Sequence, residues 1–384
     1  MKLAMLIVFC VMLFGGTVVS FVLPDREFSD VENRELAKQP KITAKRILSG
    51  EFQKEYDTYL SDQFFLRDKW VDLAVREQIA LGKKDFNGVY LGENNYLLEK
   101  YEKADFDSGQ IKENETYLTT FLNETAKRYG RKHVRAMFVP SKTTALTNIL
   151  PAYADTIDWQ PMIRDLQTKV DEPNLIYDLT KMMQSHNEEY IYYRTDHHWT
   201  TLGAYYAYTE FCKAKGITPE SLDAYSKKQD FDGFLGSFYN DTSDAKLKAN
   251  PDTVTAYYPN AESICHVTAS DGKKYDWPVI YDVSNYNAGL KYSTFIASDN
   301  PYTEIENKDL SDGSSCIVVK ESFGNAFIPF LVDHYQTVYV VDYRYWTGSI
   351  SKLAQDKKVN DVLFLNNLSM IRNKSLVGKL YRVL

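Results

Sequence analysis

Two short stretches of this chain hold the residue types that acyl-transfer chemistry needs. In Tyr192-Tyr193-Arg194-Thr195-Asp196-His197-His198-Trp199-Thr200 a carboxylate stands two residues before an imidazole, at the mouth of a helix expected to begin near Thr200. A buried Asp196 beside His198 would fix the imidazole's tautomer and stabilise its protonated form, leaving the other ring nitrogen to work as a general base. His197 then points away. The same three residues also suit a metal ion, with two imidazoles and a carboxylate as ligands, and a structural reading has the two histidines capping the loop. Spacing leaves all three open.

The second stretch is Val318-Val319-Lys320-Glu321-Ser322-Phe323-Gly324-Asn325-Ala326-Phe327. An apolar strand ends and a helix begins within two residues, with Ser322 at the junction. A serine there presents its hydroxyl at the carboxyl end of a sheet strand, and the helix N-terminus favours a developing oxyanion. Gly-x-Ser-x-Gly is absent. The plainer role is an N-cap serine, and on its own that reading is the commoner one. Combined with an Asp/His segment on the same sheet, the nucleophile reading gains.

The elements that must bring these stretches together follow an alternating pattern. Helical periodicity covers residues 50–80, where Phe52, Tyr56, Tyr59, Leu60 and Phe64 recur at three- and four-residue spacings. Residues 87–98 read as a strand, a turn and a hairpin. Then come a helix near 109–129, a strand at 134–139, a helix near 161–170, a strand at 175–177 and a helix near 179–186. The alternation resumes at 315–320, with a helix at 324–334, a strand at 337–341, a helix at 349–356 and a strand at 362–365. This is the pattern of an α/β protein with a mostly parallel sheet and helices on both faces. Residues 225–300 differ: strand-like runs at 253–258, 264–268 and 279–283 read as an antiparallel insertion.

Residues 3–24 carry no charge and reach the roughly 20 apolar residues that a membrane-spanning helix needs. An N-terminal membrane helix is therefore expected over 1–24, with a cleaved signal peptide as the alternative. Either way the body is exported, with Lys2 on the cytoplasmic side. Residues 25–80 read as a stalk and N-terminal helix, and 81–384 as the α/β domain. The chain has 384 residues, a net charge of −7 and 29 tyrosines. The acidic balance argues against nucleic acid as a partner, while tyrosines suit both core packing and contact with sugars. Beyond Cys10, three cysteines (Cys212, Cys265 and Cys316) permit at most one disulfide, and no Cys-x-x-Cys pair offers a zinc site.

Thr195-Asp196-His197-His198-Trp199 resembles the signature of the bacterial DHHW protein family, which is similar to SGNH-hydrolase-like proteins that O-acetylate alginate and other exopolysaccharides. The resemblance runs from about Glu32 to the C-terminus and takes in Ser61-Asp62-Gln63-Phe64, Val139-Pro140-Ser141-Lys142, the Ser322 turn and Asp342-Tyr343-Arg344-Tyr345. It implies a three-layer SGNH-like fold in permuted order, the Asp/His block preceding the Ser block. It also implies a triad in which Ser322 is acylated, His198 is the base and Asp196 orients it. Asn367 is the best match to an oxyanion-hole asparagine, with Asn366 as its rival, and Glu321 stands where the relatives have Asp. Arg344 and Tyr345 are candidates for substrate contact, as is His197. Trp199 is read as packing under the imidazoles or stacking on a sugar. The implied activity is that of an exported serine esterase or O-acetyltransferase on a glycan, with a membrane partner as acyl donor and neither cofactor nor metal. The rival is a catalytically silent surface module that binds glycan or scaffolds an assembly.

Overall fold

A computed structural model describes residues 6–7, 9–29, 34–86, 88–101, 107–130, 132–242 and 245–384. The chain divides into two units, one of residues 1–84 with 239–249, the other of 85–238 with 250–384.

In the first unit the periodicity over 50–80 resolves into two helices, Glu51–Gln63 and Arg67–Ala80, interrupted where Leu66 takes a left-handed φ of 55°. The stretch expected to be a stalk contains a two-stranded antiparallel pair, Phe28–Ser29 with Arg34–Glu35, and a short helix, Ala44–Leu48. The expected membrane helix is not found. A π-helical turn, Val11–Gly15, precedes a helix at Gly16–Val22, and among the described residues no helix is long and apolar enough to cross a membrane. Residues 1–5 and 8 of that expectation lie outside the described residues.

The second unit is built on an eight-stranded mixed sheet. In chain order its strands are β1 (Val134–Val139), β2 (Ile176–Asp178), β3 (Ser263–Thr268), β4 (Lys274–Trp277), β5 (Tyr302–Asn307), β6 (Ser315–Lys320), β7 (Thr337–Asp342) and β8 (Asp361–Asn367). Their spatial order is β4-β3-β5-β7-β6-β8-β1-β2. The five strands from β7 to β2 are parallel, and β5, β3 and β4 continue the sheet antiparallel. Parallel neighbours need crossover connections, and the helices Gly324–Leu331 and Ile350–Lys357 supply them between β6, β7 and β8.

Period-two alternation sorts the strand residues into two cores. Met137, Val139, Cys316, Val318, Val340 and Leu365 pack with Trp199, Phe211 and Phe327 on one face. Ala136, Phe138, Ile317, Val319, Val341 and Phe364 pack with Leu118, Phe121 and Leu380 on the other. Every residue of β6 is buried, as a strand covered on both faces must be. The result is the expected helix–sheet–helix layering.

The segment 225–300 is less separate than its sequence suggests. One hairpin, Lys228–Phe234 with Asp252–Tyr257, stands as its own sheet, but β3 and β4 join the main sheet through β5. The run at 279–283 forms no strand, only a bridge between Ile280 and Phe295. The hairpin near 89–99 is present, turning through Asn94 and Asn95 at φ 54° and 61°, a conformation that asparagine tolerates better than most residues. Cys212, Cys265 and Cys316 are all buried and free, so the one permitted disulfide is not formed.

Phe364 sits between Phe121 and Phe138, ring centroids 6.0 and 5.7 Å away. Phe364→Ala is expected to lower the unfolding free energy by about 3–5 kcal/mol, measured by urea denaturation.

Candidate active site

The carboxyl ends of the parallel strands share one edge, the usual site of chemistry in such sheets. At the end of β6 the chain turns through Glu321, Ser322 and Phe323 into the helix Gly324–Leu331. Gly324 permits this sharp turn, because a Cβ there would lie 2.7 Å from the Cβ of Lys320. The Ser322 side chain does not cap the helix. Its Oγ lies 2.7 Å from His198 Nε2 instead.

His198 reaches this point from a turn without regular helix or strand, pinned by the Tyr192–Trp199 bridge just ahead of the helix Thr201–Lys215. Its Nδ1 lies 2.6 Å from Asp196 Oδ1, and its main-chain N–H donates to the same oxygen at 2.9 Å. The imidazole stacks on Tyr292 at 4.1 Å and 13°, and the Tyr292 hydroxyl donates to the Ser322 carbonyl at 3.1 Å. Carboxylate, imidazole and hydroxyl thus form one line. With Nδ1–H given to Asp196, Nε2 is the acceptor of the Ser322 proton, as a general base requires. Burial alone would raise the pKa of Asp196. The imidazoles of His197 and His198, with the N–H of Ser237, outweigh it and hold the carboxyl well below its usual range.

Residues outside both sequence stretches fix this turn. Asp252, fully buried at the start of the Asp252–Tyr257 strand, accepts from Arg194 N and Nε, from Thr195 N and Oγ1, and from the Tyr190 hydroxyl. On the other side, Ser237 N donates to Asp196 Oδ2 at 2.8 Å and Ser237 Oγ lies 2.8 Å from His197 Nδ1. Gly236 packs so closely that a Cβ there would stand 2.1 Å from that of Asp196. Lys142, directly after β1, donates from Nζ to the carbonyl of Asp196. The segment read as an insertion therefore supplies Gly236, Ser237, Asp252 and Tyr292. Read from the sequence alone, Gly236-Ser237 is part of a loop with no assigned role. A signal lay in the glycine–serine pair and in an aspartate opening an alternating strand, but nothing local tied either to Asp196.

A cavity of about 470 Å³ opens beside the serine, lined by His197, Glu321, Phe323, Arg344 and Asn367 among others. His197 faces it, as a substrate contact would, and its pKa is pushed down to about 4 by desolvation and by the adjacent His198. Asn367 also lines it, donating its main-chain N–H to Glu321 Oε1 at 3.0 Å, with Nδ2 3.4 Å from the Pro140 carbonyl. Its rival Asn366 is fully buried, accepts from the Tyr343 hydroxyl and donates to the Val319 carbonyl. The side-chain alternation along β8 turns it into the sheet, which takes it out of the oxyanion role. Glu321 Oε2 lies 3.2 Å from Ser322 Oγ, and burial raises the Glu321 pKa against the opposing pull of Arg344 and two main-chain N–H groups.

Arg344 forms a fork on Asp342 and reaches Asp299 at 2.9 Å, while Lys320 bridges the same two carboxylates. The pair with Asp342 belongs to a buried network whose Arg344 member also lines the cavity. Tyr345 is half exposed, its ring 5.3 Å from the guanidinium, and is not part of the cavity lining. Trp199 is 0% exposed and donates to the Phe323 carbonyl at 3.0 Å. It packs edge-on against Phe323, Tyr292 being the ring that stacks on His198, and has no face for a sugar.

Asp196, His197 and His198 each offer a ligand atom within 4.8 Å of the others, the clustering that a metal reading calls for. Both His198 nitrogens, however, are already engaged by Asp196 and Ser322, which favours proton transfer over coordination. The remaining histidines find local partners elsewhere: His133 with Asp361, His186 with Glu189, His266 with Asp276 and His334 with Tyr208.

Residues 162–341 match the family described as DHHW protein. No curated protein matches the chain. Among solved structures, a DHHW family protein from Eubacterium siraeum is 27% identical, with a TM-score of 0.64 over 77% of this chain and 96% of that one. PatB1 of Bacillus cereus, solved with a sulfonyl adduct, is 20% identical, with a TM-score of 0.61 over 77% of this chain and 99% of that one. The O-acetyltransferase domain of Pseudomonas putida AlgJ overlaps more loosely, at 14% identity and a TM-score of 0.44 over 77% and 98%.

Two measurements check this geometry. Gly236→Ala must displace Asp196 and is expected to cost about 1–3 kcal/mol of stability in urea denaturation. Because the folded pKa of His197 lies below its ordinary value, the unfolded chain takes up that proton first as pH falls. His197 therefore contributes stability above pH 6.5 that is lost between 6.5 and about 4. His197→Gln, which cannot titrate, should lose less stability than wild type across that window.

Proposed function

We propose, from the premise that residues 162–341 are a DHHW family domain, that the chain is a serine-dependent acyl-transfer enzyme. In this reading it is an esterase or O-acetyltransferase of SGNH-like type, acting on acetyl esters and hydroxyl groups of a polysaccharide. The observation that carries the reading is the line Asp196 Oδ1, His198 and Ser322 Oγ, with both contacts under 3 Å. The likeness of its motifs to proteins that O-acetylate exopolysaccharides supports the choice of acyl group and acceptor.

The chemistry runs in two halves. His198 Nε2 takes the Ser322 proton as Oγ attacks the carbonyl carbon of an acetyl ester. The oxyanion of the tetrahedral intermediate is held by the Ser322 N–H and the Asn367 side chain. Collapse breaks the ester C–O bond, and His198 returns the proton to the departing alkoxide. In the second half His198 takes a proton from a sugar hydroxyl or from water. That oxygen attacks the acetyl-serine, and Ser322 recovers its proton. Asp196 stays ionised throughout and stabilises the imidazolium.

His197 and Arg344 are the groups best placed to contact the acceptor. Export, attachment to a membrane through residues 1–24 and an acyl-donor partner there belong to the same proposal. They are supported by the uncharged N-terminal run and by the family likeness.

The test is turnover of a simple acetyl ester by the full chain, with and without a polysaccharide acceptor, together with labelling by an aryl sulfonyl fluoride. Ser322→Ala should lower kcat/KM by about 10³-fold or more, and the sulfonyl group should add once, at Ser322. Ester loss that rises with acceptor indicates transfer, and loss indifferent to acceptor indicates hydrolysis. Equal turnover by wild type and Ser322→Ala would sink the proposal. A wild type that neither turns over ester nor takes the label would leave the silent glycan-binding module.

A further inference from the structure

Lys142 follows β1 at the catalytic edge of the sheet, on the one-turn helix Lys142–Ala145, and is 0% exposed. Its ammonium donates to the Leu97 carbonyl at 2.7 Å and to the Asp196 carbonyl at 2.5 Å. The Phe238 and Tyr96 ring centroids lie 5.0 and 5.9 Å from Nζ. Among the described residues no carboxylate forms an ion pair with Nζ. The Glu99 carboxylate instead accepts the main-chain N–H groups of Lys142 and Thr143, at 3.0 and 3.2 Å, and so fixes the start of the one-turn helix.

Burying an ammonium costs several kcal/mol unless its protons are satisfied, and a Met or Leu would fill the same space without that cost. What an aliphatic side chain cannot do is pull two carbonyls from separate segments toward one point. The carbonyl held here is that of Asp196, the residue that orients His198, in a turn with no ladder of its own. The second carbonyl belongs to the hairpin strand Leu97–Glu99, whose Leu97 N–H in turn donates to the Arg194 carbonyl at 2.8 Å.

We propose that Lys142 is a positioning residue for the serine chemistry: its charged Nζ ties the Asp196-His197-His198 turn to the Leu97–Glu99 strand and so keeps His198 within proton-transfer distance of Ser322. This rests on the reading given under Proposed function. A charge-assisted bond is roughly twice as strong as a neutral one, so loss of the Lys142 charge loosens the turn without emptying the site.

The groups facing Nζ are Tyr96, Glu99, Asp196 and Asp252. Burial pushes the Lys142 pKa down to about 8, against the upward pull of Glu99, Asp196 and Asp252. Burial pushes Tyr96 up to about 12, and the neighbouring imidazoles and N–H groups hold the Asp196 carboxyl well below its usual range. Lys142 is therefore the facing group that changes charge near pH 8.

The experiment measures kcat and KM for an acetyl ester across about pH 6.5–9.5, using the full chain as wild type and as Lys142→Met, with thermal unfolding as the fold control. Wild-type kcat should fall as pH rises through about 8. Lys142→Met should show kcat lowered about tenfold with KM within about twofold, and no fall through pH 8. A packing role alone would lower the melting temperature and leave the pH profile unmoved. Lys142→Met with wild-type kcat, or with the same fall through pH 8, overturns the proposal. Should Lys142→Met fail to fold, the wild-type profile decides: a fall through pH 8 supports the role and a flat profile overturns it. A wild type that neither turns over ester nor takes a sulfonyl group at Ser322 overturns the serine reading with it, whereas an active wild type and an indifferent Lys142→Met overturn the Lys142 role alone.

Discussion

The 2.7 Å contact between His198 Nε2 and Ser322 Oγ joins residues 124 positions apart, and the architecture of the larger unit can be understood as what it takes to hold that contact. A hydrogen bond between two buried side chains survives only if both backbones are placed to within a few tenths of an ångström. Ser322 is placed by the central parallel strand and the helix that leaves it, both packed on two faces. His198 has no such scaffold. Its turn is held by groups from four other segments: Lys142 after β1, Gly236 and the Ser237 N–H from a loop, Asp252 from a strand and Tyr292 from a helical turn.

Charge is distributed so that burial does not undo this arrangement. Asp252 pairs with the Arg194 guanidinium and receives five donors in all, which replace its hydration with fixed protein groups. Asp196 stays ionised because two imidazoles and two N–H groups outweigh its desolvation. Lys320, Arg344, Asp299 and Asp342 form a closed network at the cavity wall, where each charge has an opposite neighbour. Glu321 is the exception: burial raises its pKa, and it lies against the Ser322 hydroxyl. A carboxyl there bridges the ends of β6 and β8 through the Asn367 N–H.

Much of the fold was legible because its signals are local. The apolar runs at 134–139 and 315–320 became fully covered strands, and the helix expected at 109–129 runs over Ser108–Tyr129. Periodicity did not announce β4 or β5, whose alternation is diluted by charged residues on a surface-facing side. It also overran the α-helix after Ser322, which ends at Leu331 and tightens into a 3-10 turn over Val332–His334. Over the apolar N-terminus, composition suggested one long α-helix; in its described part, α-helical residues 6–7 and 9–10 lead into a π-helical turn and the seven-residue helix Gly16–Val22.

The candidate site divides in the same way. Asp196, His198 and Ser322 could be picked out because their chemical types and spacing are unusual in sequence, and the choice of Asn367 over Asn366 followed from its place at a strand end. Trp199 and Asn366 show the limit of that approach: an indole and an amide carry the same potential for contact wherever they stand, and only burial removed theirs. Asp252, Gly236 and Tyr292 carry no motif at all, and Lys142 stands in a short motif that gives it no role. The amino-acid sequence by itself determined which groups were available to move a proton and which elements would form, because intrinsic reactivity and backbone preference are properties of neighbouring residues. Only the tertiary structure decided which groups meet and which are shut away from solvent, because distance and desolvation depend on segments that the chain keeps far apart until it folds.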